Sequence, residues 1–100
     1  MTKQQQEVVF DNMVAEMRKI MLGKGDDYAN EDRLSNFKLA GNICGITPEL
    51  NCLNLIATKV ARLGVLLQGK EPKNESVQDS ILDLSNYSVL LNMIIVDKQA

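Results

Sequence analysis

The sequence predicts an all-α protein, a four-helix bundle formed by a single domain over residues 1–100. Apolar residues recur at intervals of three and four along most of the chain, which is the spacing of helices with one buried face. Glycine and proline divide this pattern into four stretches, and no stretch alternates polar and apolar residues as a strand would. One hundred residues are enough for one domain with its own core.

The first helix is predicted at about residues 3–22, where apolar side chains such as Met13 and Met17 follow helical spacing. Gly23 and Gly25 should end it, because glycine readily adopts the left-handed conformation of a helix C-terminus. The following segment, G-K-G-D-D-Y-A-N, has many polar groups and little to bury, which indicates a loop or a site.

The second helix is predicted at about residues 31–44, with Asn30 as its N-cap and Gly45 at its end. Acidic residues in its first turn would favour the helix dipole. Arg33 and Asn36 lie three positions apart and therefore share one face of this helix.

The third helix is predicted at about residues 48–68, with Thr47 as N-cap and Pro48 at the first helical position. Its apolar residues lie on every side, so part of it should be buried between subunits of a homo-oligomer, a dimer or a tetramer. Lys59 and Arg62 are three residues apart and can point together at an anion.

The fourth helix is predicted at about residues 75–96 and carries a row of acidic and amide side chains. Glu75, Asp79, Asp83 and Asn86 fall within one narrow arc at 100° per residue. The opposite arc is predicted to be the core face and carries Val77, Ile81, Leu84, Val89, Leu91 and Ile95. Carboxylates stacked in this way favour a cation, which could be Mg²⁺ or the basic side chains of a neighbouring helix.

Composition excludes several classes of function. A net charge of −2 argues against nucleic acid as a partner, and the absence of histidine removes the commonest general base and zinc ligand. Cys44 and Cys52 do not form a C-x-x-C motif, so we expect both to be reduced and near the core. No apolar run approaches the ~18 residues of a membrane span. These features predict a cytoplasmic protein.

The basic pair and the acidic row can meet along one groove of a bundle, and two interpretations are open. One is an internal network of salt bridges. The other is a phosphate site, in which basic groups hold phosphate oxygens directly and carboxylates hold them through Mg²⁺.

Three motifs carry a resemblance to a known family: K-G-D-D-Y-A-x-E-D-R-L-S-N-F, T-K-V-A-R-L and E-S-V-Q-D-S-I-L-D-L-S-N-Y. Together they resemble the nucleotide-modification-associated domain of phage and prophage proteins, over roughly residues 24–92. That family is distantly similar to the MazG-like all-α nucleoside triphosphate pyrophosphatases. The resemblance implies a MazG-like bundle, oligomerisation through the long helices, nucleotide binding and Mg²⁺ as cofactor, in a phage-infected or lysogenic bacterial host. The E-E-x-x-E motif that MazG-type enzymes carry on an earlier helix is not present.

The motifs and the charged faces together predict one set of site residues. The predicted ligand-binding residues are Lys24, Asp27, Tyr28, Arg33, Asn36, Lys59, Arg62, Asn86 and Tyr87. Asp79 and Asp83 are the predicted catalytic residues, and with Glu75 they are the predicted metal ligands. Three functions remain open: Mg²⁺-dependent pyrophosphohydrolysis, sequestration of an intact nucleotide that counters bacterial defence signalling, and a purely structural helical interaction module.

Overall fold

The computed structural model describes residues 1–27, 32–69 and 76–99, with residues 24–27 described as backbone only. Its helices are α1 (Lys3–Asp27), α2 (Ser35–Cys44), α3 (Pro48–Leu66) and α4 (Val77–Gln99). No strand occurs in these ranges, so the predicted all-α fold with four helices is confirmed.

The end of α1 differs from the prediction, because the helix passes through Gly23 and Gly25 and continues to Asp27. The prediction that these glycines end the helix is therefore wrong. A glycine inside a helix costs only about 1 kcal/mol relative to alanine, which the rest of a long helix can offset.

The beginning of α2 also differs, because the helix starts at Ser35 rather than near residue 31. Asp32 precedes the helix, and its Oδ1 accepts a hydrogen bond from the Leu34 backbone N–H at 3.0 Å. Because the Asp32 side chain hydrogen-bonds to the backbone two residues later, it stabilises a turn at residues 32–34, and the helix begins only after this turn. The predicted N-cap, Asn30, lies outside the described residues.

The caps on either side of the connection between α2 and α3 are confirmed. Gly45 ends α2 with a φ of 71°, in the left-handed region that favours glycine. Thr47 caps α3, since its Oγ1 accepts from the Leu50 N–H at 3.2 Å, and Pro48 occupies the first helical turn. α3 ends at Leu66, two residues before the predicted boundary.

Helix α4 is the centre of the packing in the described residues. It lies against α3 most extensively and against α1, while α2 packs on α3. Leu34, Cys52 and Ile94 are the buried hydrophobic residues. The partly buried hydrophobic residues packed against them are Phe37, Ile56, Tyr87, Leu90 and Leu91.

The face that α4 buries coincides only partly with the predicted core arc, of which Leu91 packs against the buried residues. Ile81 and Ile95 of the predicted core arc are 39% and 41% exposed, whereas Ser80 is fully buried and Asn86 is 6% exposed. The residues of α4 that line the site described below lie on this buried side. The prediction therefore failed in part, because it ranked faces by hydrophobicity, while the buried side of α4 combines Ile94 with Ser80 and Asn86.

The two cysteines have different surroundings. Cys52 is buried, its Sγ donates to the Tyr87 carbonyl at 3.3 Å, and burial raises the pKa of its thiol. Cys44 is exposed, so the expectation that both lie near the core is wrong for this residue.

Large apolar side chains remain exposed on each of the four described helices, α1 and α3 among them. Val8, Val9 and Phe10 of α1 are 54–66% exposed, and Leu53 and Val60 of α3 are 50% and 52% exposed. α1 packs only against α4 among the described elements, and residues 1–12 are exposed throughout. The described helices include none with the length and hydropathy of a membrane span.

Candidate ligand-binding site

A cavity of about 430 Å³ lies where all four helices approach one another. Its size falls within the range of about 300–1,000 Å³ that is typical of small-molecule sites. The polar residues that line it are Arg33, Asn36, Asn51, Asp83, Asn86 and Tyr87. The apolar residues that line it are Ile20, Met21, Phe37, Ala40, Leu55 and Leu90. The cavity therefore combines an apolar wall with a few converging polar groups.

Asn86 is the most deeply buried polar group of this cavity, with 6% of its surface exposed. Its Nδ2 donates to the Met17 carbonyl of α1 at 3.3 Å. This bond fixes the orientation of the amide, because the reverse orientation would place two carbonyl oxygens against each other. Its Oδ1 is buried and has no hydrogen-bond partner among the described residues. An acceptor left without a partner costs about 1–3 kcal/mol of stability.

Asp83 forms an ion pair with Lys59 at the edge of the cavity. The Lys59 Nζ lies 2.9 Å from the Asp83 Oδ2, and the two side chains are only 14% and 28% exposed. The predicted basic and acidic faces therefore do meet, and at this point they meet as an internal salt bridge. Lys59 and Arg62 do not line this cavity.

Asp79 lies at the beginning of α4 and participates in capping it. The Ser76 Oγ accepts from the Asp79 N–H at 3.0 Å, and the Asp79 Oδ2 accepts from the Ser76 N–H at 3.4 Å. This reciprocal arrangement is a capping box, in which two backbone N–H groups at a helix start are satisfied together. Asp79 is exposed and does not line the cavity.

The predicted metal ligands are not assembled by the residues that the structure describes. No group of three acidic, cysteine or histidine side chains lies together within the described ranges. Asp83 is paired with Lys59, Asp79 is in the capping box, and Glu75 lies outside the described residues. The arrangement of the described residues therefore does not fit Mg²⁺.

Arg33 lies at the side of the cavity between α1 and α2. Its Nη2 donates to the Leu22 carbonyl of α1 at 3.0 Å, and the residue is exposed. A guanidinium has five N–H donors and a permanent positive charge, which suits it to oxygen anions. Arg33 thus places a cationic donor where the cavity meets solvent.

Five of the predicted site residues come together in the cavity: Arg33, Asn36, Asp83, Asn86 and Tyr87. Lys59 is next to them through its ion pair, whereas Asp79 and Arg62 do not line the cavity. The predictions for Tyr28 and for the side chains of Lys24 and Asp27 fall outside the described residues.

Among the polar and aromatic residues that line the cavity, sequence reasoning missed Asn51 and Phe37. Asn51 could have been found as one of the few polar residues in the largely apolar α3. Phe37 gave no such signal, because a phenylalanine at helical spacing is typical of an ordinary core residue.

A comparison of the chain with protein-family models, with curated proteins and with solved structures found no match in any of the three. The cavity must therefore be interpreted from its own side chains. Two aromatic residues, three carboxamides and one arginine suit a planar ligand that has polar edges and an anionic group.

Proposed function

We propose that this protein binds a phosphorylated nucleotide in the cavity between its four helices. The observation that carries the proposal is the composition of this cavity, which is lined by two aromatic side chains, three carboxamides and one arginine. Aromatic faces beside carboxamides suit a planar heterocycle whose edges carry donors and acceptors.

The base is assigned to the inner part of the cavity. Phe37 and Tyr87 offer aromatic surfaces, and stacking on such surfaces is worth about 1–3 kcal/mol per base. Asn36, Asn51 and Asn86 offer both donors and acceptors to the polar edges of a heterocycle.

The phosphate is assigned to Arg33, because this side chain is exposed at the cavity and carries a charge of the required sign. An arginine can form two parallel hydrogen bonds to phosphate oxygens, which is stronger than a single neutral contact. Lys59 was also predicted to bind the anion, but it pairs with Asp83 and does not line the cavity. Its contribution in this proposal is to hold Asp83 in place.

Binding without hydrolysis is the favoured form of the proposal. Hydrolysis requires a group that orients the attacking water, and Asp83, the carboxylate of this cavity, is held by Lys59. Asp83 is also the one carboxylate that the described residues place in this cavity, so no second acid stands beside it to share the work of catalysis. Sequestration of an intact nucleotide needs no such group. Mg²⁺-dependent pyrophosphohydrolysis, which the MazG-like resemblance suggests, is the other outcome of the test.

A nucleotide panel tests this proposal, with the protein incubated in the presence of Mg²⁺ or of EDTA. Chromatography before and after denaturation of the protein should return an intact nucleotide that was retained on the native protein. Products of cleavage that appear only with Mg²⁺ would establish hydrolysis instead. Retention of no nucleotide in either condition would refute the proposal.

A pair of arginine variants tests the phosphate assignment. Arg33→Ala should reduce nucleotide affinity by roughly 10- to 100-fold, as expected for a lost charged hydrogen bond. Arg18→Ala is the matched control, because Arg18 is exposed on α1 and does not line the cavity. Equal nucleotide affinities of the two variants would show that Arg33 does not bind the phosphate.

The proposal also includes a homo-oligomer, a dimer or a tetramer. It is supported by the half-exposed Leu53 and Val60 of α3 and by the exposed apolar residues of α1, which a second copy could cover. The proposed setting is the cytoplasm of a phage-infected or lysogenic bacterium, and it rests on the family resemblance alone.

A further inference from the structure

We infer that two copies of this chain pair through an exposed stripe of α3, with their α3 helices antiparallel and related by a two-fold axis. This inference rests on the homo-oligomer of the proposed function. It goes further, because it assigns the helix, the residues and the orientation of the contact. The stripe consists of Leu50, Leu53, Ala57, Val60, Gly64 and Leu67, the last being the C-cap of the helix.

The stripe has the spacing of a coiled-coil seam. Its residues follow one another at alternating intervals of three and four positions, which is the heptad pattern of helices that pack along their length. All six are exposed, and Leu50, Leu53, Val60 and Leu67 are 50–71% exposed. From Leu50 to Leu67 the stripe is about 25 Å long at 1.5 Å per residue. Since α3 packs on α2 and α4 through its other side, a further helix can lie along this stripe.

The distribution of charge on α3 favours a second copy as the partner. The charged residues of α3 are Glu49, Lys59 and Arg62, and none of them belongs to the stripe. Glu49 pairs with Lys98, and Lys59 pairs with Asp83, within the same chain. A two-fold axis brings the same surface together from both copies, so a charge near the axis would face its own copy. An uncharged stripe avoids this repulsion, and homodimer interfaces are more apolar than other interfaces.

The sizes of the residues in the stripe determine the orientation. An antiparallel pair with its axis between Ala57 and Val60 places Leu53 against Gly64 of the partner subunit. It also places Ala57 against Val60 of the partner subunit, so each inner layer combines a larger and a smaller residue. A Cβ at Gly64 would have no atom within 4 Å, which leaves space for a leucine. A parallel pair would place Gly64 and Ala57 against their own copies, and the resulting voids would be unfavourable.

The stripe lies on the side of α3 away from the candidate ligand-binding cavity. Asn51 and Leu55 line the cavity, and Lys59 forms its ion pair with Asp83 at the edge of the cavity. At 100° per residue, these three residues of α3 lie roughly opposite the stripe around the helix. Each copy therefore keeps its own cavity, and the dimer should bind one nucleotide per chain.

Cysteine cross-linking tests the orientation, in a background with Cys44→Ser that removes the exposed native thiol. A short bis-maleimide should join chains that carry both Leu53→Cys and Gly64→Cys into covalent dimers. Mass spectrometry of the peptides should then show position 53 linked to position 64. The single variants are the matched controls and should remain uncross-linked, because identical positions lie about 16 Å apart along the axis of the antiparallel pair.

An exchange of residue sizes tests the packing by sedimentation equilibrium. Gly64→Leu should weaken dimerisation by at least about tenfold, because two leucines then compete for the space of one layer. Adding Leu53→Ala to Gly64→Leu exchanges the large and the small position and should restore most of the lost affinity. Thr58→Leu, at an exposed position of α3 outside the stripe, is the control and should leave dimerisation unchanged. Circular dichroism establishes that the variants fold, and if Gly64→Leu does not, the cross-links still decide the question.

The outcomes separate this inference from the proposals on which it rests. Single variants that cross-link to their own copies would overturn the antiparallel orientation. An oligomer that the double cysteine variant does not cross-link, or that Gly64→Leu does not weaken, would overturn the stripe as the contact and leave the homo-oligomer intact. A wild-type protein that is a monomer at micromolar concentration would refute the oligomer and this inference together, without affecting the proposed nucleotide binding.

Discussion

Asp83 and Lys59 form the ion pair on which the interpretation of the acidic row depends. Their side chains are 28% and 14% exposed, so neither charge is fully solvated. Removal of one partner from a buried pair leaves the other charge without compensation, and this cost exceeds the net value of the pair. The pair therefore predicts that a substitution of Asp83 lowers the free energy of unfolding.

Asp83→Asn should destabilise the protein in EDTA by about 1–2 kcal/mol, less than the ~3–5 kcal/mol of a fully buried pair. The measurement is the free energy of unfolding in urea. Lys59→Met and the double variant complete a cycle, in which the second substitution should add little to the first. Stabilisation by Asp83→Asn would instead show repulsion between carboxylates, as expected for an empty metal site.

A second ionic cluster links the turn before α2 to the end of α4. Lys38 donates to the Asp32 Oδ2 and lies 3.0 Å from the Asp97 Oδ2. The hydrogen bond from Lys38, followed by that from the Leu34 N–H, lowers the pKa of Asp32 below its ordinary value of 3.8. The bonds to Asp32 and then Asp97 raise the pKa of Lys38 above its ordinary value of 10.5.

These pKa directions predict the pH dependence of stability. A carboxylate whose pKa is lowered by folding stabilises the protein above its unfolded pKa, and this contribution is lost as the pH falls through the folded pKa. Lys38 also stabilises the protein but with the opposite pH dependence, because its contribution is present at neutral pH and is lost as the pH rises through its raised pKa. Stability from this cluster should thus be complete between roughly pH 5 and 9.

The test compares melting temperatures between pH 2 and pH 6. Lys38→Met should lose less stability on acidification than the wild-type protein, because Asp32 then has a more ordinary pKa. Lys19→Met, at an exposed position of α1, should behave like the wild-type protein. Since the cluster is exposed, 1 M salt should reduce the difference. If the melting temperature of Lys38→Met falls as steeply below pH 6 as that of the wild-type protein, the Lys38 cluster is not the source of this pH dependence.

At the scale of elements, the close approach of α2 to the connection before α3 depends on Gly41. A Cβ at this position would lie 2.8 Å from the Ile46 backbone carbonyl, and backbone cannot move aside easily. Gly64 of α3 is the opposite case, because a Cβ there would have no atom within 4 Å.

Gly41→Ala should therefore destabilise the protein by about 1–3 kcal/mol through overpacking. Gly64→Ala should stabilise it by about 0.5–1 kcal/mol, because alanine loses less backbone entropy in a helix. Thermal unfolding of the two variants measures the difference. Equal effects would mean that α2 does not approach the connection as closely as the structure shows.

At the scale of the whole molecule, many large apolar side chains lie exposed on the surface and are not covered by the other helices of the chain. The radius of gyration is 15.4 Å, whereas a compact chain of 100 residues has about 13 Å. Half-exposed apolar residues remain on α3, and the N-terminal half of α1 has no buried residue. Such surfaces are expected to be covered by another molecule.

We expect light scattering at micromolar concentration to give the mass of a dimer or a tetramer of the 11.1 kDa chain. Introducing charge on α3 with Leu53→Glu and Val60→Glu should shift the protein towards the monomer, because burying an unpaired carboxylate is costly. Gln78→Glu, at an exposed position of α4, should leave the mass unchanged. An 11.1 kDa species as the only one in the wild-type protein would refute the oligomer.

The sequence correctly predicted most of the features that depend only on residues close together in the chain. The four helices follow from apolar spacing, and Thr47 and Gly45 marked their ends because caps are made within a few residues of the chain. It also selected Arg33, Asn36, Asp83, Asn86 and Tyr87, which do lie together in the cavity. The glycines after residue 22 failed as a boundary, because a glycine permits a helix end without requiring one.

The sequence by itself thus determined which segments are helical and which polar side chains stand out on them. Only the tertiary structure decided which side of α4 is buried, that Asp83 pairs with Lys59, and that Asn51 and Phe37 join the cavity. The reason is that caps and periodicity are local, whereas the environment of a side chain depends on distant residues. The Asn86 amide shows this difference, since its partner is the Met17 carbonyl of α1.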